Sequence, residues 1–435
     1  MKRHLLFYLL ICLLFPFLAR ERAGAAAFTM DRFQTVSSDG SLDVVRNPSL
    51  MTGQKADNSI GLFLLYTPYT YSRYSYDFYL PGGLSSGRVR DMKYAAGSVF
   101  FSYCRKIEKG AVGLALDNGA PYQGAYNRYE RTYSEITPGV PSAYVYTRIN
   151  GTSMKAAPRF VFSYGTVVSG NHSVGLQIAG GYTLFRDDTS YQNVMNFLPY
   201  QKNHTKNKTE WFGGELSLGY SYRNADSQAG LMVRSGRFTW RRMKVHYSHA
   251  DFALPLFYHG SLARTYFFQY DRGFTLIGGG YHKLAPFIAI ALEGEYEIPV
   301  SYTEKDVKYD ERTGYYGRKN NLAVTKSGLY GLRAGFEILP SGPVTISLGG
   351  GMITTKESRK GRYFYESINT DTFSCTLGLD IKIAENYLLM AGSQFIYTKK
   401  RTASRSNNEF INSSMYDGPA TLAYCNVFTG ISCGF

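Results

Sequence analysis

The chain has 435 residues and a formal net charge of +15, with 38 Tyr, 28 Phe and 45 Gly beside only 2 Trp and 15 Pro. That much Tyr and Phe with so little Pro excludes a disordered chain and favours strands and membrane interfaces. The basic residues are scattered at the ends of predicted loops with no run of five or six. This argues against nucleic acid and leaves two readings, an acidic lipopolysaccharide-like leaflet as partner or an ordinary set of solvated loops.

Met1–Ala27 has the three parts of a secretory leader: Lys2 and Arg3, an apolar run from Leu5 to Leu18, and a small-residue zone from Ala23 to Ala27. The expected division is therefore a signal peptide over 1–27, an irregular segment over 28–58 and a strand-rich body over 59–435. Of the five cysteines, Cys12 lies in the leader. Cys104, Cys375, Cys425 and Cys433 are widely spread without a C-x-x-C, so zinc and thioredoxin-like chemistry are not expected. No later stretch approaches eighteen apolar residues, so any membrane crossing must use strands closed into a barrel.

Phe28 to Asn58 does not alternate. Pro48 fixes its own φ and biases Asn47 toward extended backbone, which predicts a turn at Asn47-Pro48-Ser49 inside the irregular segment. Alternating runs then follow at Ile60–Tyr71, Tyr94–Cys104, Ala111–Asp117, Arg159–Val167, His172–Phe185, Trp211–Tyr222 and Gln228–Trp240. The series continues with Tyr266–Tyr281, Phe287–Ile298, Leu329–Ile338, Val344–Ile353, Thr372–Ile383, Tyr387–Thr398 and a terminal run ending on Phe435. Pro68 restricts its run to an edge, a bulge or the rim, and a second bulge is expected at Asp271-Arg272-Gly273. Fourteen strands of about ten residues, joined alternately by short and long connections, predict an all-β fold. Its form is a transmembrane antiparallel up-and-down β-barrel.

The strands also show their faces. In Thr372–Ile383 the apolar set Phe373, Cys375, Leu377, Leu379, Ile381 and Ile383 opposes Thr372, Ser374, Thr376, Gly378, Asp380 and Lys382. The inward face so defined carries Arg159, Glu215, Arg234, Glu293, Glu295, Glu297, Arg333, Glu337 and Asp380. Mixed charges in a lumen usually pair with one another and with a plug. The functional alternative is that Arg159, Arg234 or Arg333 anchors the acidic head of an amphiphile. In the long connection Asn118–Pro158, Tyr122, Tyr126, Tyr129 and Tyr133 are spaced 4-3-4, which predicts four rings on one side of a short helix. Such a stripe packs against the rim or captures apolar substrate at the outer mouth. His246-x-x-His249 has ligand-like spacing but sits in a predicted outer loop, and no metal site is expected. His172-Ser173 point to opposite faces of a strand, a poor geometry for a catalytic pair.

Two resemblances join these observations. A last strand ending on a C-terminal Phe is similar to the closing strand of bacterial outer-membrane barrels, whose last strand is the signal read by the barrel assembly machinery; Cys433 departs from the usual residue two places earlier. Asp39 followed by Asn47-Pro48-Ser49-Leu50, after a leader and before the first strand, resembles the FadL/TodX family of hydrophobic-compound transporters. Here Ser49 stands in place of Ala and no Gly precedes Leu50. The resemblance implies fourteen strands around a gating plug that includes Asn47, Pro48 and Ser49. It also implies outer loops that capture substrate and a kink in the third strand near Asp117-Asn118-Gly119. The implied function is passive uptake of a hydrophobic or amphipathic small molecule, long-chain fatty acid-like, with no cofactor and no catalysis, in the bacterial outer membrane. A docking or secretion component built on the same barrel, and a barrel hydrolase, are the alternatives.

Overall fold

The computed structural model describes residue 35 and residues 40–80, 83–90, 92–117, 122–134, 143–195, 198–236, 238–251, 256–270, 273–304, 322–339, 343–360, 364–384, 386–406 and 414–435. The expected leader over 1–27 and the bulge at Asp271-Arg272 lie outside them. Two 3-10 turns, Gly40–Val45 and Pro48–Gly53, come first. The strands that follow are β1 (Asn58–Leu80), β2 (Gly83–Arg90), β3 (Met92–Ile107), β4 (Gly110–Asp117), β5 (Tyr122–Ser134), β6 (Ala143–Ala156) and β7 (Arg159–Ser169). Next are β8 (His172–Met195), β9 (Leu198–Arg223), β10 (Ser227–Arg234), β11 (Phe238–Asp251), β12 (Leu256–Tyr270) and β13 (Thr275–Ala285). The last are β14 (Ile288–Glu297), β15 (Val300–Glu304), β16 (Leu322–Ile338), β17 (Val344–Lys360), β18 (Phe364–Ala384), β19 (Tyr387–Ser406) and β20 (Ser414–Gly434).

Fourteen of these strands form a closed antiparallel ring in the order β1, β3, β4, β7, β8, β9, β10, β13, β14, β16, β17, β18, β19 and β20, with β20 paired back to β1. Closure leaves no exposed edge. At the seam the two ends of the body clasp: Asn58 N–H donates to Phe435 O (2.8 Å) and Phe435 N–H to Asn58 O (2.9 Å). Each of the fourteen alternating runs overlaps a ring strand, although Gln228–Trp240 runs past β10 into β11 and Tyr266–Tyr281 begins in β12. Of the edge, bulge or rim that Pro68 allows, the structure has the bulge, since the β1–β20 register shifts between Tyr66 and Tyr69. Two residues, Thr67 and Pro68, there oppose Asn426 alone, and the extra residue frees the proline from the ladder.

Burial follows the alternation. Along β7, Phe160 is 65% exposed, Val161 3%, Phe162 46% and Ser163 0%. Leu216, Leu218, Leu231, Leu292, Leu332, Met352, Phe373, Leu377, Phe395 and Val427 are exposed on the same outward parity of their strands. The inner face buries Ser102, Gln177, Ser217, Glu293, Arg333, Glu337, Thr376, Asp380, Gln394 and Asn426. A protein in water would reverse this arrangement. A continuous apolar exterior around a polar interior is the pattern of a membrane-spanning barrel, and among the described residues no helix is long and apolar enough to cross a membrane.

The remaining six strands correct one expectation. Long stretches read as loops are hairpins that prolong the wall: β2 pairs with β1 and β5, β5 with β6, β6 with β8, β11 with β9 and β12, and β15 with β16. Tyr122–Ser134 is therefore a strand, and no helix presents Tyr122, Tyr126, Tyr129 and Tyr133 together. Likewise His246 and His249 lie within β11 and not in a loop.

Candidate functional site

The candidate site is the lumen and the N-terminal segment seated in it. Asn47 organises that segment. Its backbone is extended (φ −75°, ψ 110°) and it caps the turn Pro48–Gly53 with Pro48 at the first position. Its Oδ1 accepts from Ser49 N–H (3.2 Å) and from Ser49 Oγ–H (2.7 Å). Its Nδ2 donates outward to the wall, to Tyr220 O on β9 at 2.9 Å and Leu231 O on β10 at 3.4 Å. One buried amide thus shapes the turn and ties it to two strands. Pro48, Ser49, Leu50 and Met51 are all buried.

The wall is built to receive this turn. Gly165 on β7, Gly175 on β8 and Gly219 on β9 are register partners in one row. A Cβ at Gly175 would lie 2.5 Å from Ser49 N, one at Gly165 2.5 Å from Pro48 O, and one at Gly219 would collide with the Asn47 amide. The chain comes this close only because the row has no side chains. Elsewhere the fit is apolar: Val44 and Met51 pack with Cys104, Ala111, Ala115, Val161 and Ala179, and Leu42 packs with Phe63, Leu388 and Met390.

Polar contacts satisfy the segment's backbone. Ser163 Oγ donates to Val44 O at 2.6 Å, and Gln177 Nε2 donates to Val44 O at 2.7 Å and Arg46 O at 3.2 Å. Thr52 Oγ1 and Ser173 Oγ are 2.8 Å apart, and Arg223 Nη1 donates to Gly53 O at 3.2 Å. Upstream, Thr35 donates both its N–H (2.8 Å) and its Oγ–H (2.7 Å) to Glu293 Oε2. Gly279 again provides the room, since a Cβ there would stand 2.8 Å from Thr35 Oγ1.

The sequence-predicted charges converge in two groups. Arg333 bridges Glu293 (2.9 Å) and Glu295 (2.6 Å). Arg159 bonds Glu215, which Arg234 also approaches at 3.9 Å. Glu337 accepts from Tyr281 O–H (3.1 Å), Glu297 accepts from Gly273 N–H (3.0 Å), and Asp380 is buried on the inner face. The three arginines are thus not brought to one point: Arg333 serves the Thr35 latch through Glu293, and Arg159 and Arg234 share a separate carboxylate. Asn47, Pro48 and Ser49 lie together at the wall. The tyrosines 122, 126, 129 and 133 stand on a strand whose side chains lie outside the described residues. The glycine row and Glu293–Thr35 contact were not anticipated, although glycines at inward parity in three consecutive strands are a readable signal.

Asp117 pairs with Phe100 and Arg159, and pairing resumes at Tyr122 with Ala96 and Lys155. Residues 118–121, where the kink of the third strand is expected, lie outside the described residues.

No protein-family model matches the sequence, and no curated protein is significantly similar to it. Among solved structures, the toluene transporter TodX of Pseudomonas putida superposes with a TM-score of 0.57 at 11% identity, over 96% of this chain and 99% of that one. The toluene transporter TbuX of Ralstonia pickettii gives 0.51 at 11% identity, over 95% and 99%. A Pseudomonas aeruginosa FadL homologue gives 0.51 at 11% identity, over 96% and 99%. Closed ring, polar lumen and seated N-terminal segment together give this chain the fold of the TodX- and FadL-type outer-membrane channels.

Proposed function

We propose that the protein is an outer-membrane channel that admits hydrophobic or amphipathic small molecules, long-chain fatty acid-like, passively down their gradient. The observation that carries this reading is the Asn47 turn, which fills a cradle of wall glycines inside the ring and is tied to the wall by polar contacts. The similar solved channels named for toluene support the same class of cargo. In this reading residues 28–58 are the gate, with Asn47, Pro48 and Ser49 as its hinge against the wall. Arg159 and Arg234 meet a polar headgroup in the lumen, and the tyrosine-bearing β5 takes part in capture at the outer mouth. Cargo leaves sideways through the wall near Asp117, where the third strand is expected to kink. The surrounding outer leaflet supplies acidic lipid, and the strand ending at Phe435 is read by the assembly machinery. No cofactor and no catalytic step are required.

The test is uptake of a labelled long-chain fatty acid, with labelled toluene in parallel, by cells producing the protein or its Asn47→Ala, Pro48→Ala variant. Protein-dependent uptake that changes in the variant supports the channel. A correctly inserted barrel that takes up neither compound refutes it.

A further inference from the structure

The outward face of the barrel is not electrically uniform above its apolar band. About ten residues carry a tilted strand across a membrane, so side chains slightly farther than this from the short turns stand at the outer headgroup level. On β8 and β9 the outward positions from this level upward carry Glu210, Lys208, Asp188, Lys206 and His204, and the charges close on one another. Lys208 pairs with Glu210 at 2.9 Å, Lys206 with Asp188 at 3.6 Å, and His204 also bonds Asp188.

β17–β19 differ. Lys356 stands twelve residues after Val344, and Lys399 and Arg401 stand twelve and fourteen after Tyr387. Lys356, Asn369 and Arg401 form one register row, and Asp371 and Lys399 belong to the next row toward the apolar band. Asp371 accepts from Thr354 Oγ1 at 2.9 Å. Among the described residues, no salt bridge engages Lys356, Lys399 or Arg401. Directly below, Met352, Phe373 and Tyr397 form the following row, and Phe395 lies in the one after. Lys356 and Arg401 are two strands apart, about 10 Å at the usual spacing. A basic row this wide, open on its charged side and set on an aromatic bed, has the layout of an amphiphile with an anionic head.

We propose that this face binds an outer-leaflet lipid bearing a phosphate monoester. Its phosphate lies among Lys356, Lys399 and Arg401, and its acyl chains run over Met352, Phe373 and Phe395. Charge-assisted bonds to phosphate at a membrane surface supply the selectivity, and the apolar rows supply the register. The proposal rests on the barrel spanning a membrane, and it is independent of what passes through the lumen.

The test uses the full chain reconstituted in phosphatidylcholine vesicles. Spin-labelled phosphatidic acid and spin-labelled phosphatidylcholine are compared for the fraction immobilised at the protein surface. The wild type is expected to prefer phosphatidic acid by about fivefold, from roughly one effective charge contact. K356Q/K399Q/R401Q brings the preference close to one, while K206Q/K208Q, which removes charges already paired, retains it. Heat-modifiable mobility on gels confirms that each variant is a folded barrel. A wild type without preference, a preference that survives the triple substitution, or an equal loss in the control overturns the site. A folded protein that immobilises neither lipid refutes membrane insertion itself, and the site with it.

Discussion

Asn47 shows how much one side chain can decide in this fold. Its carbonyl oxygen shapes the turn while its NH₂ group reaches two wall strands, and only the absence of a Cβ at Gly219 lets the amide approach. Gly219→Leu must therefore expel the turn, and planar-bilayer recordings are expected to show an ion leak absent from the wild type. Gly180→Ala is the control, because the nearest atom to its Cβ would be Gly213 O at 4.0 Å. Arg333 is the second residue on which much depends. Arg333→Ala leaves the buried Glu293 and the half-buried Glu295 without their shared cation. A loss of about 3–5 kcal/mol follows in guanidinium unfolding of the reconstituted barrel. Adding Glu293→Gln and Glu295→Gln should restore most of it, since neutral amides need no counter-charge.

At the scale of elements, the sequence displayed its strands only where one face meets lipid. Thr372–Ile383 alternates because Phe373, Leu377 and Leu379 are exposed outward while Thr376 and Asp380 are buried inward, and all fourteen wall strands were legible for this reason. Beyond the membrane both faces of a strand meet water, the period of two disappears, and Tyr122–Ser134 reads as a loop or a helix although it is paired on both sides. Asn47-Pro48-Ser49 was legible as a turn because proline chemistry is local. The Thr35–Glu293 contact was not, because it spans 258 positions and nothing near Thr35 signals it. The pairing also predicts what can be removed. Asp117 and Arg159 are partners below the β5–β6 hairpin, so replacing residues 119–157 by a short turn should leave a folded, heat-modifiable barrel. Fatty-acid uptake is expected to fall severalfold if the hairpin serves capture.

On the scale of the whole molecule, the ring closes through β1 and β20, and the last residue bonds the first of the body. Deleting Phe435 removes two seam hydrogen bonds and the terminal aromatic residue. A sharp drop in folded protein recovered from outer-membrane fractions is the expected result. In the proposed reading the seated segment gates the lumen, so uptake requires that segment to move. Thr52 and Ser173 offer the most direct test, because their hydroxyl oxygens are 2.8 Å apart across the boundary between segment and wall. In a Thr52→Cys, Ser173→Cys variant, oxidation should lock the segment in place. The account predicts that uptake of the labelled fatty acid stops on oxidation and returns on reduction. Uptake that continues unchanged through a verified cross-link would contradict it.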